Sequence, residues 1–358
     1  MLLDDFDLLL LRMLSEHRFL PRAVFSRFSI PLADRVKLLQ CGELIASFGS
    51  SHYTFDRRAV RRLSALGFPV ANYMRFAHTD PRPLRYGNYF ELALTFLRAG
   101  AGIEHAQNEV PSLYTSPGFI TSLPLRNPRN RQLLNSAQCA GFANWGDTAY
   151  MVYYLTGVSS GFNLTHELSL FHSLLPVFHL PIDKPVALMF AGQSYPAILR
   201  ELKRKETEAA NKTQSYSLIY RQANIPIHLL SCDEAGAKQL AWMRQPNYKT
   251  RTLNTLVGID GWTGADDPLL DAYVGGTPFV FAADMDLRGV LQAVTRYCSS
   301  GIYVCALEEQ IPLLDKLMPE GVELLSFSLE RLKEEFGDLL YEPSRKPAQR
   351  PDGGHYYV

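Results

Sequence analysis

Two segments of the chain hold the residue types that metal-assisted phosphodiester chemistry requires. Pro181-Ile182-Asp183 precedes Glu201-Leu202-Lys203 at a separation suited to two carboxylates on Mg²⁺ and a lysine beside the attacking water. The second triplet, however, lies inside AILRELKRKETEAANK, whose period and propensity are helical, so Glu201 and Lys203 are expected on a solvated face far from Asp183. Asp284-Met285-Asp286 stands between the apolar run PFVFAA and a helical stretch that begins at Leu287, the place where open α/β sheets hold ligands. The same two acids satisfy a simpler role, accepting hydrogen bonds from the first free N–H groups of that helix. His166 and His172 are six apart and miss the i, i+4 spacing of a zinc pair. GIDGWTG (258–264) has no strand–glycine–helix context, and GxxxxGK[ST] does not occur. No metal or cofactor is therefore expected.

An Asp-x-Asp in that place resembles the metal-binding pair of Toprim-type topoisomerases and primases, which add a catalytic Glu at the end of their first strand. Here Gly192-Gln193 follows VALMFA and no acid stands there. The alternative reading is a metal-dependent phosphodiester enzyme using Asp284 and Asp286, with Asp183 or Asp147 in reserve. It requires a third carboxylate close to the pair.

The elements that position these residues follow from periodicity. Leu2, Phe6, Leu9 and Met13 share one helical stripe, with Leu3, Leu10 and Leu14 beside it. Pro21 suits the first turn of a short helix through Phe28, and Pro31 opens another whose Leu32, Val36 and Leu39 point inward, with Gly42 as its stop. Two short strands around Gly49-Ser50-Ser51 and a helix over 57–66 complete a winged helix-turn-helix over 1–67. A Pro- and Arg-rich linker spans 68–87. Beyond it a helix over 89–99, a strand within 101–110, a turn-rich stretch over 111–128 and a hairpin over 137–155 lead to alternating strands and helices. That order predicts an α/β region over 88–338, α+β for the whole chain, with a mixed, largely parallel sheet and two subdomains dividing near 180. A Pro- and Gly-containing flexible tail is expected over 339–358.

Composition limits the function classes. With 47% hydrophobic and 20% charged residues in 358, the chain buries a substantial core. Thirty-six basic residues balance 36 acidic ones, so the whole chain has no general attraction for phosphate. Residues 1–68 are the exception, with ten Lys or Arg against seven Asp or Glu. Arg35 and Lys37 on the third helix, Ser50, Ser51 and His52 at the hairpin tip, and Arg57 and Arg58 on the closing helix are the expected DNA contacts; Arg61 and Arg62 add charge. The competing use of such a domain is protein contact or dimerisation. The cysteines, five and unframed, read as free thiols of a reducing compartment. The acidic start MLLDDFDLLLL is not a secretion signal, and no apolar run reaches a membrane span, so a cytoplasmic location is expected.

RMLSEHRFLPRAVFSRF, RVKLLQCGELI, GDTAYMVYYLTG and PFVFAADMDLRGVLQA with GIYVCALEEQ together resemble the replication-relaxation family of plasmids and conjugative elements. The resemblance implies a winged helix joined to a restriction-endonuclease-like α/β core, often without its active site. Asp147 would then stand at the metal-binding position, and the following TAYMVYYL has no ExK, which implies a degenerate, inactive core. It further implies a non-enzymatic, DNA-binding accessory or regulatory role in replication, relaxation or transfer. The α/β region would then serve a protein partner or self-association.

Overall fold

The computed structural model describes residues 2–70, 76–77, 80–103, 113, 117–126, 131–134, 137–157, 163–208, 223–350, 353 and 355–357. The chain is α+β and divides into two compact units, one of residues 1–95 with 341–358 and the other of residues 96–340. Among the described residues no helix is long and apolar enough to cross a membrane.

In the first unit, α1 (Asp5–His17) starts where Asp4 accepts from the Asp7 N–H at 2.8 Å and Asp7 reciprocates with the Asp4 N–H at 3.0 Å, a capping box that satisfies two orphan donors. Phe6, Leu10, Leu11, Met13 and Leu14 are buried on this helix. The expected stripe is shifted: Leu2 precedes the helix and is exposed, and Leu9 is half-buried. Leu20–Pro21 is a strand, β1, followed by a 3-10 turn at Arg22–Ser26 where a helix through Phe28 was expected. α2 (Leu32–Cys41) buries Leu32, Val36 and Leu39 as its spacing predicts. β2 (Ala46–Phe48) and β3 (His52–Thr54) form the hairpin, and α3 (Arg57–Ala65) follows, capped by the Asp56 carboxylate on the Ala59 N–H at 2.7 Å. The sheet order is β1-β3-β2, antiparallel throughout.

Two boundaries differ from expectation. α4 (Arg82–Arg98) begins inside the stretch read as a linker, and residues 71–75 and 78–79 of that stretch lie outside the described ones. The C-terminal segment is no loose tail. The Leu3 N–H donates to Tyr356 O, Asp5 N–H to Lys346 O and Ala348 N–H to Leu3 O, while Leu2 bridges Tyr357 and Asp4 bridges Pro347. Buried Ala348 and Tyr356 explain the docking: a segment with apolar side chains to bury and main-chain partners to pair with has reason to order.

The second unit has two mixed sheets instead of one largely parallel sheet. The first runs β4 (Gly102–Ile103), β5 (Gly118–Thr121), β6 (Gly141–Trp145), β7 (Thr148–Tyr154), β8 (Val186–Gly192) and β9 (Ile227–Ser231). The tight Gly146-Asp147 turn makes β6 and β7 antiparallel, whereas α6 (Leu164–Leu174) and α7 (Tyr195–Glu208) cross over to give parallel β7-β8-β9. A four-residue helix, α5 (Arg131–Leu134), precedes β6. After α8 (Glu234–Met243) and α9 (Tyr248–Val257) the chain builds the other sheet from β10 (Trp262–Thr263), β11 (Ala272–Val274), β12 (Thr277–Phe281), β13 (Ile302–Leu307) and β14 (Val322–Phe327). Its first two pairings are antiparallel and its last two parallel, with α10 (Leu287–Tyr297) as the crossover from β12 to β13. Residues 104–110 of the expected strand, 111–112, 114–116 and 127–128 of the turn-rich stretch, and 209–212 at the expected end of α7 lie outside the described ones.

Candidate functional site

The proposed contact residues of the first unit separate into an outer and an inner set. Ala33, Asp34, Lys37, Leu38, Gln40 and Cys41 are exposed along α2, and Gly49, Ser50 and Ser51 at the hairpin tip. Ser47 Oγ accepts from Arg22 at 2.9 Å and from Gln40 at 3.1 Å, which ties β2 to α2 and to the turn after β1. Arg57 and Arg58 are exposed on α3.

Arg35 and His52 depart from the expected role. The Arg35 Nε donates to Asp7 Oδ1 at 2.9 Å, a second nitrogen bonds Asp7 Oδ2, and the Asp4 carboxylate lies 2.8 Å away. This guanidinium is consumed by the acids that cap α1. Burial pushes the Asp7 carboxyl up, against the opposing hydrogen bond and charge of Arg35. His52 packs against Phe19 in a T-shaped ring contact, 5.9 Å between centroids. A methyl group at Gly87 would stand 3.0 Å from its Nε2. His52 pairs with Phe48 next to the hairpin turn and is a packed aromatic there, and burial lowers its pKa.

In the second unit, Asp284 and Asp286 flank Met285, which holds φ +59° with its side chain fully buried. A left-handed methionine is a strained residue, and the surroundings hold it. The Met285 N–H donates to Ala282 O at 3.0 Å, and Met285 O accepts from Leu229 N–H on β9 at 3.2 Å. Asp284 O accepts from His228 Nδ1 at 2.9 Å and from Gln239 Nε2 at 2.8 Å, which fixes the imidazole proton on Nδ1. Asp284 Oδ1 accepts from the Asp286 N–H at 3.2 Å, so Asp284 closes the turn and does not cap α10. Asp286 occupies the cap position of α10.

A lysine stands against the Asp284 carboxylate. Lys249 Nζ lies 2.9 Å from Asp271 Oδ1 and 3.5 Å from Asp284 Oδ2, while Asp271 Oδ2 accepts from the Phe281 N–H at 2.7 Å. Burial opposes its charge, yet the Asp284 and Asp271 carboxylates hold the ammonium above its ordinary range. Burial also raises the Tyr150 and Tyr248 phenols, with Asp284 adding to both, and the Asp286 carboxyl, against the charge of His228. The Asp286 Oδ1 is buried with no hydrogen-bond partner. Among the described residues no three His, Cys, Asp or Glu side chains form a metal-binding group.

The remaining candidates do not converge with this cluster. Asp183 is exposed in the turn before β8, and Glu201 pairs with Arg204 on α7, Nε to Oε2 3.0 Å. Asp147 is exposed in the β6–β7 turn. His166 and His172 are exposed on α6, and the 258–264 turn presents Ile259 at 76% exposure. Tyr150, His228, Gln239, Lys249 and Asp271 carry no spacing signal in the sequence, because they converge from four separate elements and the bend before β11. Compared with protein-family profiles, with curated proteins and with solved structures, the chain matches none.

Proposed function

We propose that the chain is a non-enzymatic DNA-binding accessory or regulatory protein whose first unit is a winged helix-turn-helix. The observation that carries this reading is the arrangement of α2 and the β2–β3 hairpin. An exposed helix face bearing Lys37 and Gln40 is tied through Ser47 to a three-stranded antiparallel sheet whose tip, Ser50 and Ser51, is also exposed. A helix and an adjoining hairpin presented together suit a duplex, the helix toward a groove and the hairpin toward the backbone.

The second unit supports the non-enzymatic part. The sequence α4, β5-β6-β7 meander, α6, parallel β8 is compatible with the nuclease-like core that the family resemblance implies, and β7 has no acidic residue in Thr148–Tyr154. The alternative phosphodiester enzyme loses support where the Lys249 ammonium neutralises Asp271 and Asp284. The role in plasmid or conjugative-element maintenance rests on the resemblance to the replication-relaxation family, as does a partner or self-contact through the second unit, whereas a cytoplasmic location rests on the acidic N-terminal sequence and the unframed cysteines.

The test is fluorescence anisotropy of a labelled duplex with the full chain. The reading expects binding at low salt that weakens alike on all sequences when Lys37 and Arg57 become Ala. Absence of binding at low salt, or binding indifferent to both substitutions, overturns it.

A further inference from the structure

α3 concentrates four arginines, Arg57, Arg58, Arg61 and Arg62, on one exposed face, with Ala59 and Leu63 buried behind them. Two of the four stand in the first helical turn, where the helix dipole disfavours positive charge, so local helix energetics do not account for them. Arg58 Nη1 lies 2.7 Å from Glu43 Oε1, and Arg62 Nη1 lies 3.3 Å from Glu43 Oε2 and donates to Gly42 O at 2.7 Å. One carboxylate therefore bridges two arginines one helical turn apart, at the place where α2 ends. Gln40 and Cys41, at the same end of α2, are exposed.

Glu43 occupies this place at a conformational disadvantage. Its φ is +56°, in the left-handed region, whereas the adjacent Gly42, the residue suited to such a conformation, has φ −77°. The backbone is held strained while the carboxylate faces two guanidinium groups. The pairs are exposed, with side-chain exposures of 69% and 47% for Arg58 and Arg62 and 44% for Glu43. Ion pairs in such a setting are weak and exchange readily for another anion.

We propose that Glu43 is an internal counter-ion over a phosphate-binding arginine face on α3, and that the backbone of duplex DNA displaces it. The proposal rests on the DNA-binding reading and moves its main phosphate contact from α2 to α3. Glu43 then keeps Arg58 and Arg62 aligned in the free protein and lowers affinity for non-specific polyanions, because each phosphate contact must first displace a carboxylate.

The experiment measures binding of a labelled duplex to the full chain as a function of salt for the wild type, Glu43→Gln, Glu43→Gly, the Arg58→Ala/Arg62→Ala pair, and that pair combined with Glu43→Gln. Glu43→Gly also relaxes the backbone, so at least one Glu43 variant keeps the fold, and thermal melting verifies it. Both Glu43 variants should bind about 3- to 10-fold tighter at low salt, with a log–log salt slope steeper by about one to two, since each freed arginine adds about 0.9. The double arginine variant should bind more weakly than wild type, and adding Glu43→Gln to it should yield no gain. Wild-type binding that is unchanged in affinity and slope in both Glu43 variants overturns the counter-ion role and leaves the DNA reading standing. No binding by any of the proteins overturns both.

Discussion

Asp7 on α1 and Arg35 on α2 form a two-point ion pair across 28 positions of sequence, with side chains 1% and 14% exposed. The acid belongs to the capping box of one helix and the base to the flank of the next, so the pair locks the two helices together. Arg35→Ala should therefore cost about 3 kcal/mol, since it leaves buried acids without their cation, whereas Lys37→Ala should stay within about 0.5 kcal/mol. Urea denaturation of both variants checks this. A loss below about 1 kcal/mol for Arg35→Ala contradicts the structural role.

His52 makes stability depend on pH. Its folded pKa is below the ordinary 6.5 because burial disfavours the charged ring. The unfolded chain thus binds more protons near pH 6, and stability rises with pH there. The contribution is complete above pH 6.5 and is lost as pH falls through that value toward the lowered folded pKa. Melting temperatures of wild type and His52→Gln between pH 5 and 8 should converge at low pH and separate above neutrality. A constant difference across the range contradicts the assignment.

Local signals read the first unit more fully than the second. Leu32, Val36 and Leu39 at helical spacing and the Gly49-Ser50-Ser51 turn are short-range features, and α2 and the hairpin appear where they point. Arg35 shows the limit of local signals: angular projection along α2 cannot show that the buried Asp7, 28 positions earlier, pairs with a cation there. In the second unit the expected alternating strands appear as β8, β9, β12, β13 and β14, but nothing local says which strands share a sheet. Division into two sheets and the meeting of Lys249, Asp271 and Asp284 are set by long-range packing.

Lys249 should be structural. Lys249→Met leaves Asp271 and Asp284 facing each other without a cation and should lower stability by about 2 kcal/mol, less than a fully buried pair because the lysine is partly exposed. Adding Asp271→Asn should restore part of the loss. Denaturation midpoints of the single and double variants decide it, and an unaffected single variant contradicts the role. Millimolar Mg²⁺ should leave the wild-type melting temperature unchanged, since a cation that bound the folded site would raise it.

Removal of residues 341–358 should destabilise the first unit. Leu3, Asp5 and Leu2 lose their main-chain partners, and burial of Tyr356 and Ala348 is lost, together about 1–3 kcal/mol. Hydrogen exchange of the amides around α1 in the shortened chain should speed up accordingly. Unchanged protection there would show that the docked segment adds nothing.

The measurement closest to the central claim is the salt dependence of duplex binding by the full chain. Few phosphates are within reach of Lys37, Arg57, Arg58 and their neighbours, so the account predicts modest affinity, little sequence preference and a log–log slope of about −3 to −5. Binding that is absent at low salt, or present with a slope near zero, contradicts it.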